Sequence, residues 1–277
     1  MTDKLLVFTD IHIGKAGKTI IGLNPLERLR KGMDHALANH PDARRMILMG
    51  DLTHHGHPEE YSRLGEALAQ VPIPVSLMIG NHDRRDAFQA AFPAAPRIDS
   101  GHVQHFVDLA DTRLIMLDTL DGPPCLADEH AGYLCDKRLA WLDAALAGAR
   151  GRRVLIFTHH PPVAVGFPGM DEIRLTNEGD LLARLARHPN VAHLFAGHVH
   201  RTISGNIDGL AFTIFKSPCH QMPMLLGATG SSHSVAEPGA YGIVLLNDNS
   251  IIAHSEDFDL DQLPVFDGYE EALQTSA

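Results

Sequence analysis

Five short motifs in the sequence carry side chains that can bind metal ions. Each motif follows a run of apolar residues that predicts a β-strand: Asp10-Ile11-His12, Gly50-Asp51, Gly80-Asn81-His82-Asp83, His159-His160-Pro161 and Gly197-His198-Val199-His200. In open α/β sheets, ligands bind at the carboxyl ends of the strands, where segments that are distant in sequence meet. We therefore expect the side chains of these motifs to converge on one site.

The donor types indicate which ions such a site would hold. Carboxylate, amide and imidazole groups without a thiolate suit iron, manganese, zinc or cobalt, and do not suit a structural zinc site. The set is too large for one transition metal, which takes about four to six ligands, and it suits two ions that share a bridging ligand. Its members are Asp10, His12, Asp51, Asn81, His159, His198 and His200. We expect the chain to bend after the strand so that Asp10 and His12 reach one ion, and likewise for His198 and His200.

The composition limits the partners of the protein. The chain has 277 residues, 44% of them hydrophobic and 21% charged, with a formal net charge of −11. An acidic surface disfavours duplex nucleic acid, whose binding depends on Lys and Arg. No apolar run reaches the roughly 18 residues that span a bilayer, and no secretory signal is visible, which predicts a cytoplasmic protein without a membrane partner. The three cysteines predict reduced thiols, although Cys125 and Cys135 could pair.

Strands and helices alternate in the first third of the chain. Apolar runs predict strands at 4–9, 46–49 and 75–79, and residues at helical spacing predict helices at 25–39, 58–70 and 84–92. This order favours a largely parallel sheet with helices packed against it.

The later elements predict a second sheet. They are a hairpin at 103–109 and 113–118, strands at 154–158, 191–196, 210–215, 241–246 and 251–254, and helices at 139–147 and 181–186. We expect this sheet to be more antiparallel than the first, in an α/β fold built as a two-sheet α/β/β/α sandwich. The domain is predicted to span 1–257, with substrate-shaping loops at 161–177 and 217–239. An acidic C-terminal tail is predicted at 258–277.

The five motifs together, in this order and each after a strand, resemble those of the calcineurin-like metallophosphoesterases over residues from about 5 to 200. The resemblance implies that fold of two packed sheets. It also implies that Asp10, His12 and His200 hold one ion, that Asn81, His159 and His198 hold a second, and that Asp51 bridges the two. His82 would be the histidine that faces the substrate phosphate without binding a metal.

Two features indicate a branch of this family. The serine/threonine protein phosphatases carry an Asp-Arg pair shortly after Gly-Asp, and the stretch Leu52-Thr53-His54-His55-Gly56 lacks it. The motifs His159-His160-Pro161-Pro162 and Cys219-His220-Gln221 resemble the branch that contains the class III cyclic nucleotide phosphodiesterases and the bacterial glycerophosphodiesterases. Family relatives often form dimers or larger rings, which predicts a homo-oligomer.

The resemblance predicts a metal-dependent phosphodiesterase that acts on cyclic nucleotides or other small phosphodiesters. A hydroxide activated by both ions would attack phosphorus. The ions and His82 would offset the charge on the phosphoryl oxygens, and His82, if protonated, could pass a proton to the leaving alkoxide. A phosphomonoesterase or a nuclease with the same metals is an alternative. A non-catalytic scaffold is another, and the presence of all the predicted ligands argues against it.

Substrate contacts are predicted at three positions, which are Asn81, His82 and His220. For His220, a role as an ordinary loop histidine is the alternative. Four apolar residues could contact a flat group such as a nucleobase or could instead fill the core or an oligomer interface: Phe167, Met170, Met222 and Met224. His54 is interpreted as a solvated residue or one that supports a ligand, and His130 as a structural or surface residue.

Overall fold

Two β-sheets with helices on their outer faces make up the structure, a computed structural model that describes residues 3–122 and 130–260. The strands of the described residues are β1 (Asp3–Phe8), β2 (Arg45–Met49), β3 (Val75–Met78), β4 (His105–Asp108), β5 (Thr112–Met116), β6 (Arg153–Phe157), β7 (Val191–Ala196), β8 (Ile203–Ile207), β9 (Leu210–Ile214), β10 (Ala240–Leu246) and β11 (Ile251–Asp257). The helices are α1 (Pro25–Asn39), α2 (Pro58–Leu68), α3 (Arg85–Ala91), α4 (Asp136–Ala147), α5 (Pro168–Glu172) and α6 (Glu178–Leu185), followed by a 3₁₀ turn at Phe258–Leu260.

The first sheet is built around β1 and has the strand order β11-β10-β1-β2-β3. Its strands β1, β2 and β3 are parallel, and β10 and β11 extend it on the other side of β1 by antiparallel pairing. Alternate residues of a strand point to opposite faces. In β1, Leu6 and Phe8 accordingly pack with Leu29 and Met33 of α1. Leu5 and Val7 lie in a separate core between the two sheets.

The second sheet has the strand order β4-β5-β6-β7-β9-β8. The strand directions predicted for this sheet were wrong. We expected it to be more antiparallel, but β5, β6, β7 and β9 run parallel and only the edge strands β4 and β8 are antiparallel. Helices α4 and α6 supply the crossover connections that parallel pairing requires. The late strands β10 and β11 belong instead to the first sheet. There β10 pairs with the backbone of β1 on the side opposite β2, so the buried N–H and C=O groups of β1 have partners on both sides.

The fold class predicted from the sequence, a two-sheet α/β/β/α sandwich, is confirmed. The inner faces of both sheets share one core, and each outer face packs against its own helices. Phe258, the first residue of the predicted tail, is buried in the core under α1, whereas residues 261–277 and Cys125 lie outside the described residues. None of the helices in the described part of the chain is both long and apolar enough to cross a membrane.

Two histidines outside the predicted metal site should make the free energy of unfolding depend on pH. His105 on β4 is buried and His193 on β7 is half-buried. Burial lowers the pKa of each to about 4, with Arg45 adding to the effect at His105. Between pH 6.5 and about 4 the unfolded chain binds protons that the folded chain excludes, so the free energy of unfolding should fall as the pH falls through this window. Urea denaturation at pH 7 and pH 5 measures the change. A His105→Gln/His193→Gln variant should lose part of this pH dependence, and an unchanged dependence would contradict the assignment.

Candidate metal centre

All the predicted metal-binding residues lie just beyond the carboxyl ends of strands. Asp10 and His12 follow β1, Asp51 follows β2 and Asn81 follows β3, so four of them come from the first sheet. His159 follows β6, and His198 and His200 follow β7 of the second sheet. Both sheets therefore present these ends at the same edge of the sandwich, as the sequence predicts.

The structure brings these side chains together around the carboxylate of Asp51. Its Oδ2 lies 3.6 Å from His12 Nε2, and its Oδ1 lies 3.3 Å from His159 Nε2. On the first side, His200 Nε2 lies 3.1 Å from His12 Nε2 and 3.4 Å from Asp10 Oδ1. On the second, Asn81 Oδ1 lies 3.2 Å from His159 Nε2. The two oxygens of Asp51 thus face two separate groups of donor atoms.

His198 completes the second group. Its ring centroid lies 5.2 Å from that of His159, and its backbone N–H donates to both carboxylate oxygens of Asp10 at 3.0 Å. Its own Nε2 is buried and has no hydrogen-bond partner among the described residues. Buried polar side-chain atoms normally have a partner, so an unpartnered ring nitrogen at this position fits a site that binds a cation.

The backbone bends sharply at the site. Among the described residues other than glycine, seven have a positive φ, and five of these are predicted metal ligands: Asp10 (56°), His12 (54°), Asp51 (47°), His198 (70°) and His200 (52°). The left-handed region costs an ordinary residue roughly 1–2 kcal/mol, and such strain clusters at functional sites. The bends expected after β1 and β7 are therefore present. Asp10 and His12 both approach His200 Nε2, as expected for a pair that shares one ion. The expectation for the second pair was wrong, because His200 lies with His12 and His198 lies with His159.

The charges of the site depend on one another. Burial raises the pKa of Asp10. Burial would also raise the pKa of Asp51, but the neighbouring imidazoles, His159 first among them, outweigh it and hold the pKa of this carboxyl well below its usual range. Burial lowers the pKa of His159, and the carboxylates of Asp51 and Asp10 outweigh that effect and raise it to about 9. Buried carboxylates need a paired charge or a metal, so these residues fit cations.

Glycine is required where the loops after β2, β3 and β6 meet. A Cβ on Gly80 would collide with the Asp51 carboxylate and lie 2.6 Å from both the backbone N of Asp51 and Cδ2 of His159. Gly80→Ala should therefore push Asp51 and His159 out of place, and we expect kcat/KM for a phosphodiester to fall about 10²-fold, as for a misplacement of about 1 Å. Gly179→Ala is a matched control, because a Cβ there meets nothing within 4 Å. Equal activities of the two variants would contradict the close packing.

Asp83 is a supporting residue that the sequence analysis did not single out. It is buried, and its carboxylate accepts hydrogen bonds from the backbone N–H groups of Leu52 and Gly80 at 3.0 Å and of Thr53 at 3.1 Å. It thereby joins the loop that carries Asp51 to the loop that carries Asn81. Its position within the motif Gly80-Asn81-His82-Asp83 was the available signal.

Four histidines beyond the predicted ligands belong to possible metal-holding groups, namely His54, His82, His160 and His220. The groups whose donor atoms lie within 4.8 Å of one another are Asp10-Asp51-His159, His12-His200-His220, His12-His54-His82 and His159-His160-His198. His54 and His160 were not predicted as ligands. His160 is buried, its Nδ1 and Nε2 lie 2.8 Å from Thr119 Oγ1 and 3.1 Å from the carbonyl oxygen of His130, and burial lowers its pKa to about 3. These bonds occupy both ring nitrogens, which argues against His160 as a ligand.

A cavity of about 290 Å³ opens over these residues. His82 and His220 line it, together with the apolar residues Met170, Ile173 and Met222 and the segment Ser231–Ser234. Met170 and Met222 therefore pack in the hydrophobic core and also line the cavity. Phe167 lies in the core, and Met224 is 57% exposed. The loops predicted at 161–177 and 217–239 thus both contribute to the cavity, the first through α5.

Comparison with known proteins decides the family. The family model described as calcineurin-like phosphoesterase matches residues 3–202. The chain belongs to this family. Membership of the calcineurin-like phosphoesterases implies a dinuclear metal site, in agreement with the Asp and His groups described above.

Relatives within the calcineurin-like phosphoesterases cover most of the chain. A protein named probable cyclic nucleotide phosphodiesterase from Rhodopseudomonas palustris is 40% identical over 259 residues, which are 92% of each chain. A glycerophosphodiester phosphodiesterase from Enterobacter lignolyticus is 29% identical over 85% of this chain and 79% of its own. A 3′,5′-cyclic adenosine monophosphate phosphodiesterase from Pseudomonas aeruginosa is 28% identical over 82% and 79%. The family and these relatives confirm the predicted enzyme class, phosphoric diester hydrolase.

Solved structures show the same fold at low sequence identity. A dimetal phosphatase from Danio rerio superposes with a TM-score of 0.70 at 16% identity and covers 92% of this chain and 96% of its own. A purple acid phosphatase from yellow lupin reaches a TM-score of 0.64 at 14% identity, over 96% of this chain and 53% of its own. These two structures share the overall fold of this chain.

Proposed function

We propose that this protein is a metal-dependent phosphodiesterase that hydrolyses cyclic nucleotides or other small phosphodiesters. The observation that carries the proposal is the Asp51 carboxylate, whose two oxygens face the His12 side and the His159 side of one cavity. Relatives named as cyclic nucleotide and glycerophosphodiester phosphodiesterases support a diester substrate.

The donor groups support a proposed set of ligands for two divalent or trivalent ions. Asp10, His12 and His200 would hold the first ion and Asn81, His159 and His198 the second, with Asp51 shared between them. The donors, all oxygen and imidazole, suit iron, manganese, zinc or cobalt. When bound, the two ions supply water activation and charge neutralisation at the phosphoryl group.

His82 is the proposed catalytic residue. Its Nδ1 lies 2.9 Å from the carbonyl oxygen of His54, which can only accept, so Nδ1 carries a proton and Nε2 is left for the substrate. If Nε2 also carries a proton, the ring would donate a hydrogen bond from Nε2 to the phosphate. That proton would pass to the leaving alkoxide oxygen as the P–O bond breaks, which leaves His82 neutral. The backbone N–H of His82 also donates to Asp51 Oδ1 at 2.9 Å, which fixes the ring beside the shared ligand.

The cavity suits a small substrate with an organic group on phosphorus. Its volume of about 290 Å³ lies near the lower end for small-molecule sites. Asn81 and His220 would contact the phosphate, and the wall formed by Met170, Ile173 and Met222 offers an apolar surface for a nucleobase. Other predictions from the sequence stay predictions. They are that the protein has neither duplex nucleic acid nor a membrane as a partner, that it forms a homo-oligomer and that it is cytoplasmic.

A substrate panel on protein of measured metal content tests the proposal. We expect kcat/KM for bis-p-nitrophenyl phosphate and for cyclic nucleotides to exceed that for p-nitrophenyl phosphate by at least about tenfold, a difference of about 1.4 kcal/mol in transition-state free energy. Faster hydrolysis of the monoester or of single-stranded DNA would favour a phosphomonoesterase or a nuclease instead. If the protein contains no metal and remains inactive when manganese is added, the result would favour the alternative of a non-catalytic scaffold.

A further inference from the structure

His130 lies at the mouth of the cavity beside Asn81 and His82. Its Nδ1 is 3.2 Å from the Asn81 side-chain nitrogen Nδ2, and its ring centroid is 5.7 Å from that of His82. No motif marks this residue, and the sequence alone predicts a structural or surface role for it. Its exposed side chain nevertheless contacts a proposed metal ligand directly.

The contact determines which end of the Asn81 amide faces the site. Only the amide oxygen can bind a cation, because the nitrogen is a donor without a free lone pair. Since Nδ2 can only donate, Nδ1 of His130 accepts and the His130 proton is on Nε2. With Nδ2 held in this way, Oδ1 lies 3.2 Å from His159 Nε2, where the second group of donors converges. We propose that His130 is a positioning residue, which holds the Asn81 oxygen toward the second metal ion.

The main chain at His130 is held independently of its side chain. Because the His130 carbonyl oxygen can only accept, His160 Nε2 donates to it at 3.1 Å, and Thr119 Oγ1 then donates to His160 Nδ1 at 2.8 Å. Two residues further on, a Cβ on Gly132 would lie 2.6 Å from the His160 ring, so the chain is packed closely on this buried histidine. Truncating the His130 side chain should therefore leave its backbone in place.

A metal titration of His130→Ala tests the inference, which rests on the proposed metal site. Manganese binding measured by calorimetry should give two dissociation constants for the wild-type protein. In His130→Ala one of them should be weakened by about 10-fold or more, the range for loss of a group that orients a ligand, while the other is unchanged. At saturating manganese, kcat should return to near the wild-type value, because His130 acts through occupancy of the ion.

Two further variants separate positioning from a general structural effect. In His130→Asn the side-chain oxygen takes the place of Nδ1, one bond from Cγ, and should restore the weakened constant. His233→Ala is the matched control, because His233 is exposed and lines the same cavity, and its ring nitrogen lies 3.1 Å from Gly230 O within its own loop. Its manganese constants should match those of the wild type.

The outcomes distinguish this inference from the proposed function. Three results would overturn the role of His130 and leave the proposed function intact. They are wild-type values for both manganese dissociation constants of His130→Ala, equal weakening of both constants, and no recovery of the weakened constant in His130→Asn. Wild-type protein that binds fewer than two manganese ions would overturn the proposed metal site and this inference with it.

Discussion

Replacing Asp51 with alanine should lower kcat/KM for a phosphodiester by more than about 10³-fold. Removing one preorganised group that stabilises charge in a transition state typically costs 10²–10³-fold, and Asp51 faces both groups of donor atoms while also accepting the N–H of His82. The change also removes the carboxylate that balances the buried imidazoles. The variant should therefore bind both ions weakly, which elemental analysis after gel filtration will measure.

Asp86→Ala is the control for Asp51→Ala. Asp86 lies five residues beyond Asn81, but its side chain is 74% exposed and forms an ion pair with Arg84 at 3.4 Å. Exposed ion pairs contribute little, so this variant should match the wild type in metal content and turnover. An Asp51→Ala protein with wild-type turnover would show that no bridging carboxylate is required.

Replacing His82 with alanine should lower kcat about 10²-fold or more while both metal ions stay bound. The expected size is that of a lost general acid. Because a good leaving group needs less protonation, the loss should be smaller for bis-p-nitrophenyl phosphate than for a diester with an alkoxide leaving group. Steady-state kinetics with both substrates, together with elemental analysis, measures the two effects.

His55→Ala is the matched control for His82→Ala. His55 lies in the neighbouring loop, its side chain is 60% exposed, and its Nδ1 lies 3.4 Å from Glu60. It should retain its metals and its kcat. Loss of metal in His82→Ala would mean that His82 is a metal ligand. An equal decrease in kcat for both substrates would contradict its role as a proton donor.

The convergence of the site could be predicted because its residues are bound to strand ends. Apolar runs such as Leu5–Phe8 identify the strands without knowledge of the sheet, and the carboxyl ends of parallel strands share one edge. The split of the donors between two sheets follows from the same signal. The distances could not be predicted, because they depend on left-handed backbone at residues such as Asp10 and His198.

The missed elements have weak local signals. Strand β8 has the sequence Ile-Ser-Gly-Asn-Ile with three exposed central residues, and helix α5 has only five residues. Strand direction in the second sheet was misjudged because antiparallel and parallel strands have similar apolar patterns at this length. β10 pairs with β1 across almost the whole length of the chain, and no local pattern specifies that partner.

The role of His130 had no sequence signal at all. It follows no predicted strand and belongs to none of the five motifs. Its position depends on the packing of its backbone against His160, which lies 30 residues further along the chain. Long-range placement of this kind is visible only in the folded structure.

Anomalous diffraction from crystals soaked in manganese tests the central claim most directly. We predict two peaks per chain, one among Asp10, His12 and His200 and one among Asn81, His159 and His198, with an oxygen of Asp51 in contact with each. A single peak, or none between these groups, would contradict the dinuclear site on which the proposed function depends.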